Sequence, residues 1–225
     1  MNLAENVKYE NLEIIKYVIK EHGANVDAVN KEGKTAFMLA AEGDITCALD
    51  CLITHNRNIK AKNKDYTTAL MYTAEYGRVD ILDKLITKAG IDVNIATPYG
   101  GTMLMRSAKY GHIKVVQHLI NEHHADVNMA SKGGWTPLIC AAVAGHCDIV
   151  TFLLQQGASV NIKNGRTWTA LMYAADGGQF EIVKILLNYG ADVNMTDKYG
   201  GKALSYASRY GYEKIAQHLR QKQGG

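Results

Sequence analysis

A seven-residue segment recurs along the chain at a nearly constant spacing. The copies read Thr-Ala-Leu-Met-Tyr-Ala-Ala at 169–175, Thr-Ala-Leu-Met-Tyr-Thr-Ala at 68–74 and Thr-Pro-Leu-Ile-Cys-Ala-Ala at 136–142. Their first positions are Thr35, Thr68, Thr102, Thr136, Thr169 and Lys202, so the spacing never varies by more than one position. A fixed period of roughly 33 residues predicts stacked copies of one structural unit, because a unit this short cannot bury its apolar face alone.

The repeat extends over all 225 residues. We therefore predict one domain, 1–225, built of seven repeats at 1–31, 32–64, 65–98, 99–132, 133–165, 166–198 and 199–225. The last repeat carries Gln217, Arg220 and Lys222, and the first carries Asn6 where we expect a small buried residue in the other copies. Polar faces of this kind are typical of terminal repeats, so we expect the first and last repeats to act as caps.

Each repeat predicts two short antiparallel helices. In the sixth repeat, Thr169 can cap a first helix whose apolar stripe contains Leu171, Ala174 and Ala175. The residues Ile182, Val183, Leu186 and Leu187 form the stripe of a second helix, which Gly190 can end in a left-handed conformation. We expect an extended segment at 192–194 and a turn at 198–201 to lead into the next repeat as a hairpin-like loop.

The fifth repeat matches a known repeat pattern nearly residue by residue. It contains Thr136-Pro137-Leu138, Ala141-Ala142, Gly145-His146, Ile149-Val150, Leu153-Leu154 and Gly157-Ala158. Together with the constant period, these residues resemble the ankyrin repeat family. The resemblance implies an all-α solenoid of stacked helix-turn-helix units, and a non-catalytic scaffold that binds a partner protein on its concave face and hairpin tips.

Composition and cysteine usage limit the other possibilities. The 25 Lys and Arg against 22 Asp and Glu give a net charge of +3, too small to indicate a nucleic acid or a membrane surface as partner. The sequence has no apolar run long enough for a membrane-spanning helix, and it predicts no signal peptide. The four cysteines show no disulfide framework, which favours a reducing compartment, the cytoplasm or nucleus.

No catalytic, metal or cofactor site is predicted. His112 and His146 occupy the Gly-His position of the repeat, where the resemblance implies a structural imidazole, and no triad or general base is evident. Cys47, Cys51 and His55 lie four residues apart and could supply three metal ligands, but a fourth is missing, so ordinary packing is the preferred interpretation.

The resemblance places a candidate partner-binding face at the hairpin tips and on the first helices. Its members share aromatic or basic side chains, which are frequent interface anchors. They are Trp135, Trp168, Tyr99, Tyr199, Lys132, Arg166, Lys198, Tyr76, Arg106, Lys109, Tyr110, Tyr173, Arg209 and Tyr210. We expect exposed indoles at Trp135 and Trp168, an acidic partner segment whose binding weakens with salt, and a monomeric array.

Two other functions stay open at this stage. The stretch Gly133–Leu138 also resembles part of the ankyrin array of a nucleotide-sensing ribonuclease, which suggests a small phosphorylated ligand stacked on Trp135 near Lys132 or Arg166. The resemblance further implies possible asparagine hydroxylation at Asn94, Asn128, Asn161 and Asn194. The alternative for these four residues is a hydrogen-bonded turn asparagine, which we prefer.

Overall fold

The computed structural model describes residues 28–43 and 69–223, together with Tyr17, Asn25, Ile45, Ala48 and Leu52. Cys47, Cys51 and His55, and with them the predicted alternative metal site, lie outside the described residues. The chain forms two compact units, Met1–Pro98 and Tyr99–Gly225, hereafter unit 1 and unit 2. The boundary between them coincides with the predicted end of the third repeat.

Short helices make up the described part of both units. The described part of unit 1 contains α1 (Ala36–Gly43), α2 (Ala69–Glu75) and α3 (Val79–Ala89). Unit 2 contains α4 (Met103–Tyr110), α5 (Ile113–Asn121), α6 (Pro137–Ala144), α7 (Cys147–Gln155), α8 (Ala170–Asp176), α9 (Phe180–Asn188), α10 (Ala203–Arg209) and α11 (Glu213–Gln223). Strands are absent from the described residues, where an isolated bridge joins Val29 and Thr35. The predicted all-α repeat fold is confirmed.

The first helices of the fourth, fifth and sixth repeats begin at the predicted threonine caps. The hydroxyls of Thr102, Thr136 and Thr169 accept hydrogen bonds from the backbone N–H three residues later. In this position the hydroxyl satisfies an amide that has no partner within the helix. Lys202 replaces threonine in the last repeat, where Ser205 Oγ accepts the N–H of Lys202 instead.

The ends of the repeats follow the prediction with one correction. Gly190 adopts the expected left-handed conformation after α9, with φ of 82°. The segment 192–194, expected to be extended, contains a turn instead. The reason is local, because Asp192 Oδ1 accepts the N–H of Asn194 at 2.7 Å and bends the backbone.

The core of unit 2 lies between successive helix pairs. Ala141 and Ala142 of α6 are fully buried and allow close approach of the neighbouring first helices α4 and α8. Ile149, Val150 and Leu153 of α7 are also fully buried, and α7 packs against the second helices on either side, α5 and α9. Each helix pair therefore completes its core with its neighbours, as expected of a repeat array. No helix among the residues described has both the length and the apolar character needed to cross a bilayer.

Candidate protein-binding face

One polar side chain closes the loop before each of the first helices α8 and α10. Asn164 Oδ1 accepts the N–H groups of Arg166 and Trp168 at 3.0 and 3.1 Å. One repeat later, Asp197 Oδ1 accepts the N–H groups of Tyr199 and Gly201, both at 2.8 Å. These hydrogen bonds fix the backbone of the turn that leads into each of these helices.

Neighbouring loops of unit 2 contact each other through their backbones. The N–H of Lys132 donates to the carbonyl of Tyr99 at 3.0 Å, and that of Gly165 donates to the carbonyl of Gly133 at 2.7 Å. A Cβ placed on Gly134 would lie 2.8 Å from Cα of Asn164, closer than a side chain tolerates. The loops therefore form a continuous edge along unit 2.

A row of four aromatic rings crosses this edge. Trp135 packs against Tyr173 with ring centroids 5.3 Å apart, and Tyr173 packs against Trp168 at 4.9 Å. Trp168 in turn packs against Tyr206 at 4.2 Å. The expectation of exposed indoles is therefore wrong, because both tryptophans are half-buried, Trp135 against Tyr173 and Trp168 between Tyr173 and Tyr206.

Asp197 anchors the end of this aromatic row. It is 6% exposed, and its carboxylate accepts hydrogen bonds from the Tyr206 hydroxyl and the Trp168 indole. The bond from Tyr206 is the main cause that holds the pKa of Asp197 below its usual value. Burial, followed by the same hydrogen bond, raises the pKa of Tyr206 to about 12. In the preceding repeat, the Asn164 amide donates to the Tyr173 hydroxyl at 2.8 Å in the equivalent arrangement.

Two adjoining cavities open on this face of unit 2. The larger, of about 590 Å³, is lined by Trp168, Asp176, Asp197, Tyr199, Gly201, Ser205, Tyr206, Arg209 and Tyr210. The smaller, of about 350 Å³, is lined by Arg166, Trp168, Tyr173, Asp176, Lys198 and Tyr199. Because they share Trp168, Asp176 and Tyr199, we treat them together as the aromatic groove.

The rim of the aromatic groove is basic. Arg166, Lys198 and Arg209 are exposed, with the Lys198 ammonium 4.8 Å from the ring centre of Tyr199 and the Arg209 guanidinium 5.8 Å from that of Tyr206. Over residues 99–225, thirteen Lys and Arg against eight Asp and Glu give +5, compared with +3 for the whole chain. The positive charge is therefore concentrated in unit 2.

The structure places the predicted site residues in two groups. The first group lines the aromatic groove: Trp168, Tyr173, Tyr199, Tyr210, Arg166, Lys198 and Arg209. The second group lies elsewhere on the described surface, exposed or half-buried: Tyr76, Tyr99, Arg106, Lys109, Tyr110, Lys132 and Trp135. Tyr76 belongs to unit 1, where its hydroxyl donates to Glu42 Oε1 at 3.2 Å.

Sequence reasoning missed Asp197 and Ser205 as groove residues. The repeat carries a signal for Asp197, because it aligns with Asn164 and with Asn30, whose Oδ1 accepts the N–H groups of Glu32 and Lys34. A polar side chain at this position identifies a turn that is closed by the side chain. Asp197 has a second role, because its carboxylate also accepts a hydrogen bond from Tyr206, nine residues later in the chain.

The remaining polar candidates have structural roles. His146 Nε2 donates to the carbonyl of Lys109 at 3.1 Å, and Gln179 at the equivalent position donates to the carbonyl of Val143 at 3.2 Å. Both side chains therefore connect the start of a second helix to the end of the first helix of the preceding repeat. Burial raises the pKa of the Cys140 thiol to about 12, which leaves it in the poorly nucleophilic protonated form at neutral pH.

The four predicted hydroxylation asparagines lie in the loops after the second helices. Two of them bridge successive repeats. Asn128 donates to the carbonyl of Gly157 and accepts the N–H of Ser159, and Asn161 makes the same two bonds to Gly190 and Asp192. Asn194 instead accepts the Lys202 ammonium at 3.0 Å, and the N–H of Asn94 is held by Asp92. Hydroxylation stays a prediction at all four positions.

Comparison with known families agrees with this architecture. The family model for ankyrin repeats in three copies matches residues 2–97 and 92–164, and the model for many copies matches residues 153–207. The chain belongs to the ankyrin repeat family. Ankyrin repeats generally mediate protein–protein interactions, and ankyrin repeat proteins are typically non-catalytic scaffolds. No curated protein matches this ankyrin chain.

Proposed function

We propose that this ankyrin protein is a non-catalytic scaffold that binds an acidic segment of a partner protein in the aromatic groove of unit 2. The observation that carries the proposal is one surface that combines aromatic walls with Arg166, Lys198 and Arg209 at its rim. Aromatic rings supply apolar contact area with few rotatable bonds, and the guanidinium and ammonium groups supply pairing sites for carboxylates. We propose a reducing compartment, cytoplasm or nucleus, and a monomeric array as the setting.

Selection of short, displayed random peptides on the full chain tests this function without a known partner. We expect enrichment of Asp-rich and Glu-rich sequences at low salt, and weaker binding as salt screens the opposite charges. The selected peptides are then labelled with fluorescein, and their affinities are measured by fluorescence anisotropy. Enrichment of basic or uncharged sequences would contradict the acidic-segment proposal.

Two double substitutions remove equal charge at different places. Arg166→Gln with Lys198→Gln removes two charges from the groove rim, and should weaken the selected peptides about tenfold or more. Lys184→Gln with Lys214→Gln removes two charges outside the groove, and should change affinity by less than about twofold. Equal weakening by both variants would show a general charge effect and would exclude the groove as the binding site.

A small phosphorylated ligand is the second candidate. The cavity of about 590 Å³ lies within the range of small-molecule sites, which favours this function. The carboxylate of Asp176, which lines both cavities, opposes it because it would repel a phosphate held inside them, whereas the carboxylates of a peptide segment can pair with Arg166 and Lys198 at the rim. Isothermal titration of the full chain with ATP and with AMP separates the two candidates. Saturable heat that is lost in the Arg166→Gln, Lys198→Gln variant would favour the phosphorylated ligand.

A further inference from the structure

Unit 1 contains a lysine site made by two successive repeats. The Lys34 ammonium donates to Glu42 Oε2 at 2.8 Å and lies 5.3 Å from the ring centre of Tyr72. Tyr76 completes the arrangement, since its hydroxyl donates to the other oxygen of Glu42 at 3.2 Å and its ring stacks on Tyr72 at 6.2 Å. Lys34 also pairs with Glu32 at 3.2 Å. Two carboxylates and the ring of Tyr72 therefore hold the Lys34 ammonium, and Tyr76 supports both Glu42 and Tyr72.

The repeat period places the positions equivalent to this lysine site in the aromatic groove. When Thr35 is aligned with Thr169 and Thr68 with Lys202, the three site residues Glu42, Tyr72 and Tyr76 correspond to Asp176, Tyr206 and Tyr210. Lys34 corresponds to Trp168. All four of the corresponding residues line the larger cavity of the groove. The groove thus repeats the carboxylate and the tyrosines, but a tryptophan stands where unit 1 supplies the ammonium.

Asp176 consequently lacks the partner that Glu42 has. Its carboxylate makes no hydrogen bond or ion pair with the part of the chain that the structure describes. It also ends α8, where the helix dipole disfavours negative charge. Arg209 lines the same cavity, but its guanidinium lies over Tyr206 and forms no ion pair with Asp176 within the described residues. A half-buried carboxylate of this kind is an unfilled acceptor for a cation.

We propose that a lysine side chain of the partner enters the larger cavity and donates its ammonium hydrogens to Asp176, beside the rings of Trp168 and Tyr206. This proposal rests on the proposed function and specifies its partner as an acidic segment that contains one lysine. The carboxylates of that segment pair with Arg166 and Lys198 at the rim, while the lysine supplies to the groove the ammonium that Lys34 supplies in unit 1. Aromatic rings next to the carboxylate add cation–π attraction.

The arrangement in unit 1 also specifies the chemical form of the lysine. Lys34 is held by an N–H to carboxylate bond of 2.8 Å in addition to the ring contact. A trimethylated ammonium keeps the charge and the ring contact but has no hydrogen to donate. Unmodified lysine should therefore bind more tightly than trimethyl-lysine, and norleucine should bind weakest because it keeps only the aliphatic chain.

The first test uses small probes that do not depend on the acidic segment. The full chain, labelled with ¹⁵N, is titrated with Nα-acetyl-lysine amide, its trimethyl-lysine counterpart and its norleucine counterpart. The indole N–H resonance of Trp168 is followed after assignment with a Trp135→Phe variant. We expect a saturable shift with the lysine probe and at least fivefold weaker binding of the other two. Asp176→Asn should abolish the preference, and Glu181→Gln, which removes an exposed carboxylate of α9 outside the groove, should preserve it.

Three results would overturn the lysine site. They are equal shifts from the norleucine and lysine probes, an unchanged preference in Asp176→Asn, and a preference that emerges only in Arg209→Ala. The last result would mean that Arg209 itself neutralises Asp176 in solution. A circular-dichroism melting curve that matches the wild type ensures that each variant is folded.

The second test separates this proposal from the proposed function. Short acidic peptides with a central lysine are compared with the same peptides carrying norleucine in its place. If binding requires the acidic residues of the peptide but is equally tight with lysine and with norleucine, the lysine site is overturned and the scaffold function stands. A lysine preference in the small probes together with no binding of any acidic peptide would overturn the acidic partner and leave the lysine site standing.

Discussion

At the scale of single residues, Asp197 connects the loop of the last repeat to the aromatic groove. Its carboxylate accepts the N–H groups of Tyr199 and Gly201 and the side-chain donors of Tyr206 and Trp168. A carboxylate with four donors is stabilised in its charged form, which agrees with its lowered pKa. The loop turn and the wall of the groove therefore depend on one side chain.

Asp197→Asn should reduce the free energy of unfolding by about 1–3 kcal/mol at pH 7. An asparagine can still accept the two backbone bonds, as Asn164 does, but loses the charge that Tyr206 and Trp168 donate to. Because the pKa is lowered in the folded state, this contribution is present above the unfolded value of about 4 and is lost as the pH falls through the folded value.

Urea unfolding of wild type and Asp197→Asn at pH 7 and at progressively lower pH measures this effect. The difference between the two proteins should shrink as the pH falls below about 4. Asp192→Asn is the matched control, since the Asp192 carboxylate is exposed and accepts a single backbone N–H. It should cost less than about 0.5 kcal/mol at pH 7. A difference for Asp197→Asn that grows on acidification would contradict the network described.

At the scale of elements, the loops and helix ends set the spacing between repeats. Gly134 has φ of 71° and faces the backbone of Asn164, whereas Gly157 has φ of 85° and faces open space. Both positions favour glycine for its backbone freedom, but only Gly134 also needs the absence of a Cβ. The two glycines therefore separate backbone strain from close packing of loops.

Gly134→Ala should destabilise unit 2 more than Gly157→Ala does. The left-handed backbone alone costs about 1–2 kcal/mol for alanine at either position. At Gly134 the added Cβ would lie 2.8 Å from Asn164 Cα, and displacing that backbone should add about 1–3 kcal/mol. The urea midpoints of the two variants measure this difference. Equal losses of stability would show that the loops can move apart to accept a Cβ at Gly134 at little cost.

Removing a threonine cap should reduce stability less than the change at Gly134. Thr169 Oγ1 accepts the N–H of Met172 at 3.3 Å, so Thr169→Val should cost about 0.5–2 kcal/mol by removing the acceptor while keeping the shape. Thr151 Oγ1 donates to a carbonyl within α7 instead, and Thr151→Val should change stability by less than about 0.5 kcal/mol. Thermal unfolding of both variants measures the contrast. Equal melting temperatures would mean that the cap does not stabilise α8.

At the scale of the whole molecule, stability is shared between neighbouring helix pairs. Leu153 is fully buried in α7, which packs against its own first helix α6 and against α5 and α9. Because the contacts of a repeat array are local along the chain, a defect in one repeat acts first on its neighbours. The spread of such a defect can therefore be measured as the loss of hydrogen-exchange protection in each successive helix.

Leu153→Ala should cost about 2–5 kcal/mol through lost apolar contact and a new cavity. Hydrogen exchange should show the largest loss of protection in α6 and α7, a smaller loss in α5 and α9, and the smallest in α11. Val143→Ala, at a side chain that is 42% exposed, is the control and should leave protection nearly unchanged. Uniform loss over unit 2 would indicate all-or-none unfolding of that unit instead.

The sequence determined the fold and much of the candidate face. The constant repeat period, the threonine caps and the apolar stripes predict the helices and their order, since these signals arise from contacts within one repeat or with its neighbour. The same period aligns Asp176 with Glu42 and so carries a trace of the proposed lysine site. Aromatic and basic side chains at the loops were likewise identifiable from their position in the repeat.

Only the tertiary structure decided which of those side chains act together. Trp135 and Trp168 are both tip residues in sequence, yet only Trp168 lines the aromatic groove, and both indoles are half-buried. Tyr206 and Asp197 lie nine residues apart and join through the fold of one loop against its helix. The physical reason is that a ring or carboxylate takes its role from neighbours in other loops and helices, whose distances a linear pattern does not contain.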